Sequence, residues 1–372
     1  MTDFLHNKSE QKVKDFSDAE IELIKNEINI FVEALKNMDE RQAKNKINDD
    51  RFGISLNSIL HVAAKFGEVA AVADILRISA GDKLILNIRN SNSYTPLHIA
   101  AIVGNAEIVD LLLDANCDPN PQASLEKRQW RPIHYAAQYG HIEVVEMLIA
   151  AGVDKEVKTF FHLTPLMVAS EFGKIEVLQY FIKMQAELNT KTSDENNNMN
   201  ALHYAVIDGS ASCVEALLRA GIRKNEHTSS GLDALDFAAR GDNIEILKIL
   251  IAWGSGDINH ALFVAKENGS ANAIKILNEM ISCKNDLFNK SKINALQGDI
   301  VNKIKGFDEK NLHQKKIILS NNIALNAYGM LALTANIGLF VKSKKSLKGF
   351  CLENGLFKLS EELTRLEKVV GL

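Results

Sequence analysis

Four histidines are the first candidates for chemistry in this chain. His61, His98, His134 and His203 each follow Leu or Ile and stand two residues before a pair of small or apolar side chains. Imidazole is a common metal ligand and proton carrier, but these four are separated by 37, 36 and 69 residues. Each sits in its own copy of a recurring segment, too far from the next to share one ion. A second candidate, His141-Ile-Glu143, is half of a zinc-deaminase signature and lacks the Pro-Cys-x-x-Cys half. Cys283, Asp286 and His313 supply the residue types of a thiol triad without a spacing that supports one. No phosphate-cradling GxxxxGK[ST], GxGxxG, HExxH or GxSxG is present. The reading is therefore no catalytic residue, no metal site and no cofactor. Cys117, Cys213, Cys283 and Cys351 form no CxxC, which fits a reducing compartment.

The elements around the histidines carry more information. Thr95-Pro-Leu-His-Ile-Ala-Ala-Ile-Val-Gly104 is followed by a Glu- and Leu-rich stretch, and Arg131-Pro-Ile-His-Tyr-Ala-Ala-Gln-Tyr-Gly140 by another. The turn positions Gly67, Gly104, Gly140, Gly173, Gly209, Asp242 and Gly269 are 37, 36, 33, 36, 33 and 27 residues apart. A period of this size predicts stacked helix–turn–helix units. In each, Thr caps the first helix, Pro fits its first turn, paired alanines let helices approach closely, and glycine gives a left-handed helix end. The histidine is placed to bridge the backbones of neighbouring loops.

Thr95-Pro96-Leu97-His98, Arg131-Pro132-Ile133-His134 and Thr164-Pro165-Leu166-Met167 resemble the signature of the ankyrin repeat. Ser58-Ile59-Leu60-His61, Asn200-Ala201-Leu202-His203 and Asp233-Ala234-Leu235-Asp236 are degraded copies, and His260-Ala261-Leu262-Phe263 keeps only helices. The resemblance implies an all-α solenoid of helix–turn–helix units with β-hairpin fingers over residues 55–282, about six to seven units. Residues 1–54 are expected to form a helical cap. There Ser17-Asp-Ala-Glu20 is a capping box, and Ile21, Ile24, Ile28, Phe31, Val32 and Leu35 recur at helical spacing. The insertion Pro119-Asn-Pro-Gln-Ala-Ser predicts a longer finger, and Ser193-Asp-Glu-Asn-Asn-Asn-Met a flexible polar tip.

Residues 283–372 leave the pattern, with helices expected over 294–305, 312–340 and 356–370. Residues 317–341 carry no charge and are long enough to cross a bilayer. Their asparagines, costly in hydrocarbon, favour a buried helix pair over a membrane anchor. A net charge of −4 argues against nucleic acid. The N-terminus lacks the apolar core of a secretory signal, so a cytoplasmic monomer is expected.

Transferred by register, the recognition positions of an ankyrin array fall on Phe66, Tyr94, Lys127, Arg128, Trp130, Tyr139, Phe160, Phe161 and Phe172. Seven are aromatic in a chain that is only 6% aromatic. They are expected to stand outward on a concave face and grip a protein segment, preferably acidic because of Lys127 and Arg128. The resemblance also places Asn120 and Asn189 where asparagine hydroxylases modify such repeats; a turn-stabilising amide bond is the simpler role. The Asn-, Lys- and Ile-rich composition and the tail, with Glu361, Glu362 and Glu367 before Val369 and Val370, resemble ankyrin-repeat effectors of intracellular bacteria. That resemblance implies type IV secretion into a host cell's cytoplasm and a eukaryotic host protein as partner. An enzymatic activity in 283–372, acting on the bound protein, is the alternative to a pure scaffold.

Overall fold

The inner helix of each repeat starts where an extended residue gives way to proline, alanine or isoleucine, and a left-handed residue after it turns the chain into the outer helix. The computed structural model describes residues 17–49 and 57–287. The expected helices beyond residue 290, the 317–341 segment and His313 lie outside those residues. The described residues up to Asp208 and those from Gly209 to Leu287 form two compact units, a division that falls inside the array expected over 55–282.

The first unit opens with α1 (Asp18–Lys36) and α2 (Glu40–Asp49). The capping box of α1 is present: Glu20 N–H donates to Ser17 Oγ at 3.4 Å, and Ser17 N–H donates to Glu20 Oε2 at 3.0 Å. Ile24, Ile28, Phe31, Val32 and Leu35 are buried on one stripe of α1. That stripe packs on α3 (Ile59–Phe66) and α4 (Val69–Ser79), and α5 (Lys83–Leu86) is a single turn against α2. Three more pairs follow: α6 (Pro96–Val103) with α7 (Ala106–Asp114), α8 (Pro132–Tyr139) with α9 (Ile142–Ala150), and α10 (Pro165–Glu171) with α11 (Ile175–Lys183). Helix α12 (Ala201–Asp208) completes the unit. The inner helices α3, α6, α8, α10 and α12 each pack on the next, and α4, α7, α9 and α11 form an outer row. Alanines make the inner approach possible: Ala63, Ala64, Ala100, Ala101, Ala136 and Ala137 are fully buried.

In the second unit, α13 (Ala211–Ala220) packs on α15 (Ile244–Ala252), and α14 (Ala234–Arg240) on α16 (Ile258–Asn268). Helix α17 (Ala271–Leu287) packs on α14, α15 and α16.

All seven turn positions read from the sequence have positive φ, from 53° at Asp242 to 86° at Gly209. Asp242 is the only one with a Cβ, and short polar residues tolerate that region best after glycine. At Gly104 space matters too, because an added Cβ would lie 2.4 Å from the His141 ring.

The fingers depart from expectation. No extended strand forms among the described residues. Each finger is instead closed across its base by a backbone bond, such as Ala123 N–H to Trp130 O at 2.9 Å or Thr159 N–H to Leu163 O at 3.0 Å, with further bonds inside its turn. Loops this short turn back before a ladder can start. The tip at 193–199, expected to be polar and flexible, contains a 3₁₀ turn over Asp194–Asn196, like the one over Leu125–Lys127. The two long fingers repeat each other 69 residues apart, Ser124 matching Ser193 and left-handed Arg128 and Gln129 matching Asn197 and Asn198.

Candidate partner-binding face

The histidines position the fingers. His98 is fully buried; Thr95 N–H donates to its Nδ1 at 3.1 Å, and its Nε2 lies 3.3 Å from Trp130 O. The first contact makes Nδ1 the acceptor and leaves Nε2–H to donate to the next finger's carbonyl. His61 repeats this with Ser58 N and Tyr94 O, at 3.1 and 2.9 Å. His134 does so with Arg131 N and Val157 O, both at 3.2 Å. Burial holds His98 down at about 3 and His134 at about 4, so both rings are neutral at pH 7. His141 is likewise a tie, its Nε2 being 3.2 Å from Ile102 O. In the second unit Asp236 takes the histidine's place, accepting from Asp233 N at 3.0 Å and contacting His260 Nδ1 at 2.9 Å.

Direct backbone bonds then join the three finger tips of the first unit that follow α7, α9 and α11. Phe160 N–H donates to Arg128 O at 3.0 Å, and Ser193 N–H donates to Phe161 O at 3.1 Å. On the near side, Ser124 N–H donates to Asn92 O at 3.1 Å, and Arg89 Nη1 donates to Gln122 O at 2.6 Å.

Two of the nine expected recognition residues do not stand outward. Phe66 and Trp130 are each only 6% exposed, which corrects the expectation. Phe66 ends α3, with Lys65 Nζ 5.6 Å from its ring centroid. Trp130 lies 5.2 Å from Tyr135 and 6.0 Å from His134 by ring centroids, packed on the inner helix that it precedes. Tyr94 is half-buried, stacked 5.4 Å from His98 and sharing a 2.8 Å hydroxyl contact with Tyr135.

The remaining six reach solvent. Tyr139 is 48% exposed, Phe160 46% and Phe172 36%. Phe161 is half-buried under Arg128, whose guanidinium carbon lies 5.8 Å from the ring centroid, and Lys127 and Arg128 are exposed. Tyr139 and Phe172 share one register position with Val103, the residue before the turn glycine, and Val103 is also exposed. Leu125 and Ile207, 64% and 53% exposed, were not singled out from sequence. Neither is aromatic, and the repeat register gives no weight to the position of Leu125 within an insertion.

Glu171, one residue before Phe172, was also missed. Burial pushes its carboxyl above the usual range, Asp208 adds to the effect, and Arg128 opposes it. Its Oε2 is buried without a hydrogen-bond partner. At the finger bases, Asn120 N–H donates to Asp118 Oδ1 and Asn189 N–H to Glu187 Oε1, each at 2.9 Å. The preceding acid therefore stabilises each turn through the asparagine backbone, while Asn120 Oδ1 is buried without a partner.

Among the described residues no group of three or more His, Cys, Asp or Glu side chains is placed to hold a metal. No helix among them is long and apolar enough to cross a membrane.

The family model described as "Ankyrin repeats (3 copies)" matches residues 24–123, 60–159, 121–192 and 166–261. The chain belongs to the ankyrin-repeat family. Its helical stack is that of an ankyrin solenoid, and repeats of this kind are generally non-enzymatic interaction modules. Among proteins similar to this ankyrin-repeat chain is NF-kappa-B inhibitor alpha of Gallus gallus, 44% identical over 62 residues, 17% of this chain and 20% of that protein. The Nuclear factor NF-kappa-B p105 subunit of Gallus gallus is 25% identical over 180 residues, 48% of this chain and 15% of that protein. The B-cell lymphoma 3 protein homolog of Mus musculus is 27% identical over 197 residues, 53% of this chain and 44% of that protein. The chain thus spans less than half the length of each of these relatives. The crystal structure of the human ASB11 ankyrin repeat domain aligns with a TM-score of 0.46 at 23% identity, covering 57% of this chain and 90% of that one.

Proposed function

We propose that this ankyrin-repeat chain is a non-enzymatic scaffold that holds a partner protein against the inner-helix ends and finger tips of its first unit. One observation carries the reading. Val103, Tyr139 and Phe172, equivalent residues of three successive repeats, present apolar side chains to water at positions where nothing in the helix requires them. Single exposed apolar residues are ordinary on a protein surface, whereas a periodic row of them is characteristic of an interface. Aromatic side chains serve well as anchors there, because they bury much area with few rotatable bonds.

The test is a Tyr139→Ala and Phe172→Ala double variant of the full chain, used as bait in a eukaryotic lysate. It is expected to melt at the wild-type temperature and to lose the captured partner; undiminished capture refutes the reading. Trp130→Ala is unsuitable for this purpose, since that side chain is buried. Delivery into a host cell as a bacterial effector rests on composition and the tail alone. The relatives named above are animal proteins, and the scaffold reading stands without it.

A further inference from the structure

The three tips joined by backbone bonds carry different chemistry in a fixed order. At one end is the long finger with Lys127 and Arg128 exposed, Glu126 offsetting one of the two charges. In the middle is Phe160-Phe161, with ring centroids 5.1 Å apart and edge to face. At the other end is the second long finger, with Asp194 and Glu195 exposed and Lys191 at its base offsetting one of the two charges, so that Glu195 is the tip's net charge. Because Phe160 N–H binds the first long tip and Phe161 O binds the second, this dipeptide fixes the separation of the two charged ends.

The long tips are also built at a cost. Each ends its 3₁₀ turn with two consecutive left-handed residues that are not glycine, at φ 56° and 55° in one and 63° and 54° in the other. Such residues persist only where the surroundings over-determine them. Here Arg128 N–H donates to Leu125 O at 2.8 Å and Gln129 N–H to Ser124 O at 3.0 Å. Asn197 N–H donates to Asp194 O at 3.0 Å and Asn198 N–H to Ser193 O at 3.1 Å. The tips are thus held in shape before any partner arrives, which lowers the ordering cost of binding.

Resting on the scaffold reading above, we propose that these three tips receive an extended segment of the partner with an acidic end, an apolar middle and a basic end. The acidic end faces Lys127 and Arg128, the apolar middle covers Phe160 and Phe161, and the basic end faces Asp194 and Glu195. This pattern refines the expectation of a purely acidic partner, which Asp194 and Glu195 would repel. A nucleic acid or an anionic membrane is disfavoured for the same reason.

The experiment is selection of a displayed library of random linear peptides on the full chain, in parallel with Arg128→Glu and Glu195→Lys variants. Neither replaced side chain enters the backbone bonds between tips, and Glu195→Lys is expected to melt like the wild type. Arg128→Glu gives up the guanidinium over Phe161 and adds a carboxylate near Glu171, and should melt slightly lower, so recovery with a charge-swapped peptide separates lost charge from lost fold. Wild-type protein is expected to enrich peptides with acid and base at opposite ends of an apolar core. Arg128→Glu should bind those peptides about tenfold more weakly, and recover when the acidic residue of the peptide is replaced by lysine. Absence of any enriched peptide, enrichment of one sign of charge, or affinities unchanged by both variants overturns the inference. Enriched peptides that lose affinity with Tyr139→Ala and Phe172→Ala but not with the tip variants leave the scaffold reading intact and refute this one. If the lysate bait also captures nothing, both fall.

Discussion

Replacing His98 by glutamine tests the claim that neutral, buried imidazoles tie the repeats together. In the native protein His98 is fully buried, accepts from Thr95 N and contacts Trp130 O. Burial sets it at about 3, well below the value of about 6.5 for a free imidazole. As pH falls below about 6.5 the unfolded chain takes up this proton and the native one does not, so stability drops. The loss continues until the pH reaches the native value. At about 1.4 kcal/mol per pH unit, His98 alone costs about 2 kcal/mol between pH 7 and pH 5. His134, held at about 4, adds about the same.

Glutamine at the third helical position can still accept from the backbone N–H of the capping residue, but it does not titrate. His98→Gln should therefore lose about 1–3 kcal/mol at pH 7, for the contact with the Trp130 carbonyl. Between pH 7 and pH 5 it should lose about 2 kcal/mol less than wild type, since one titrating group is gone. Urea unfolding of both proteins at the two pH values measures this difference, and every other group cancels in the comparison. Equal losses, within about 0.5 kcal/mol, would mean that His98 is not the buried neutral tie described here.

Other variants probe the turns and fingers. Gly104→Ala should destabilise by more than about 2 kcal/mol, because the new methyl meets the His141 ring as well as a left-handed backbone. Gly152→Ala has nothing within 4 Å of the new methyl and should cost only the backbone term, about 1–2 kcal/mol; thermal melts that rank the two equally refute the steric account. Trp130→Ala should cost about 3–5 kcal/mol of stability, whereas Phe160→Ala should stay within about 0.5 kcal/mol, as measured by denaturant unfolding. Burial pushes the Cys117 thiol up to about 12, so iodoacetamide should label it only after unfolding. Rapid labelling of native protein at Cys117 by mass spectrometry would contradict that.

The stacking of helices was legible because it depends on residues with few alternatives. A reversal at the end of an eight-residue helix needs positive φ, which glycine or a short polar residue accepts, and all seven predicted turns occur. The capping box at Ser17 and Glu20 is equally local. Finger conformation was not legible, since hairpin ladders need more residues on each arm than these loops supply. The tip at 193–199 looked flexible by composition, yet Ser193 N–H is fixed by the neighbouring Phe161 carbonyl, a partner 32 residues away in the chain. Composition carries no record of such a partner.

The partner-binding face shows the same division between position along the backbone and direction of the side chain. Repeat register placed Tyr94 and Trp130 as equivalents, each just before the first residue of an inner-helix cap. The carbonyl of each accepts from the preceding repeat's histidine, as register implies. Their side chains differ in cover: Tyr94 is half-buried against His98 and Tyr135, and Trp130 is buried against His134 and Tyr135. The carbonyl of Trp130 also accepts from Ala123 N, and the indole packs on Tyr135. Phe160 sits at the tip of a short finger, with no additional residues to fold over it, and stays 46% exposed. Leu163, the equivalent of Trp130 in the short finger, is 1% exposed, so in both fingers the residue before the cap faces inward while a tip residue faces outward. The exposed row lies at the helix ends at Val103, Tyr139 and Phe172, and stops before the equivalent Phe66, which is buried.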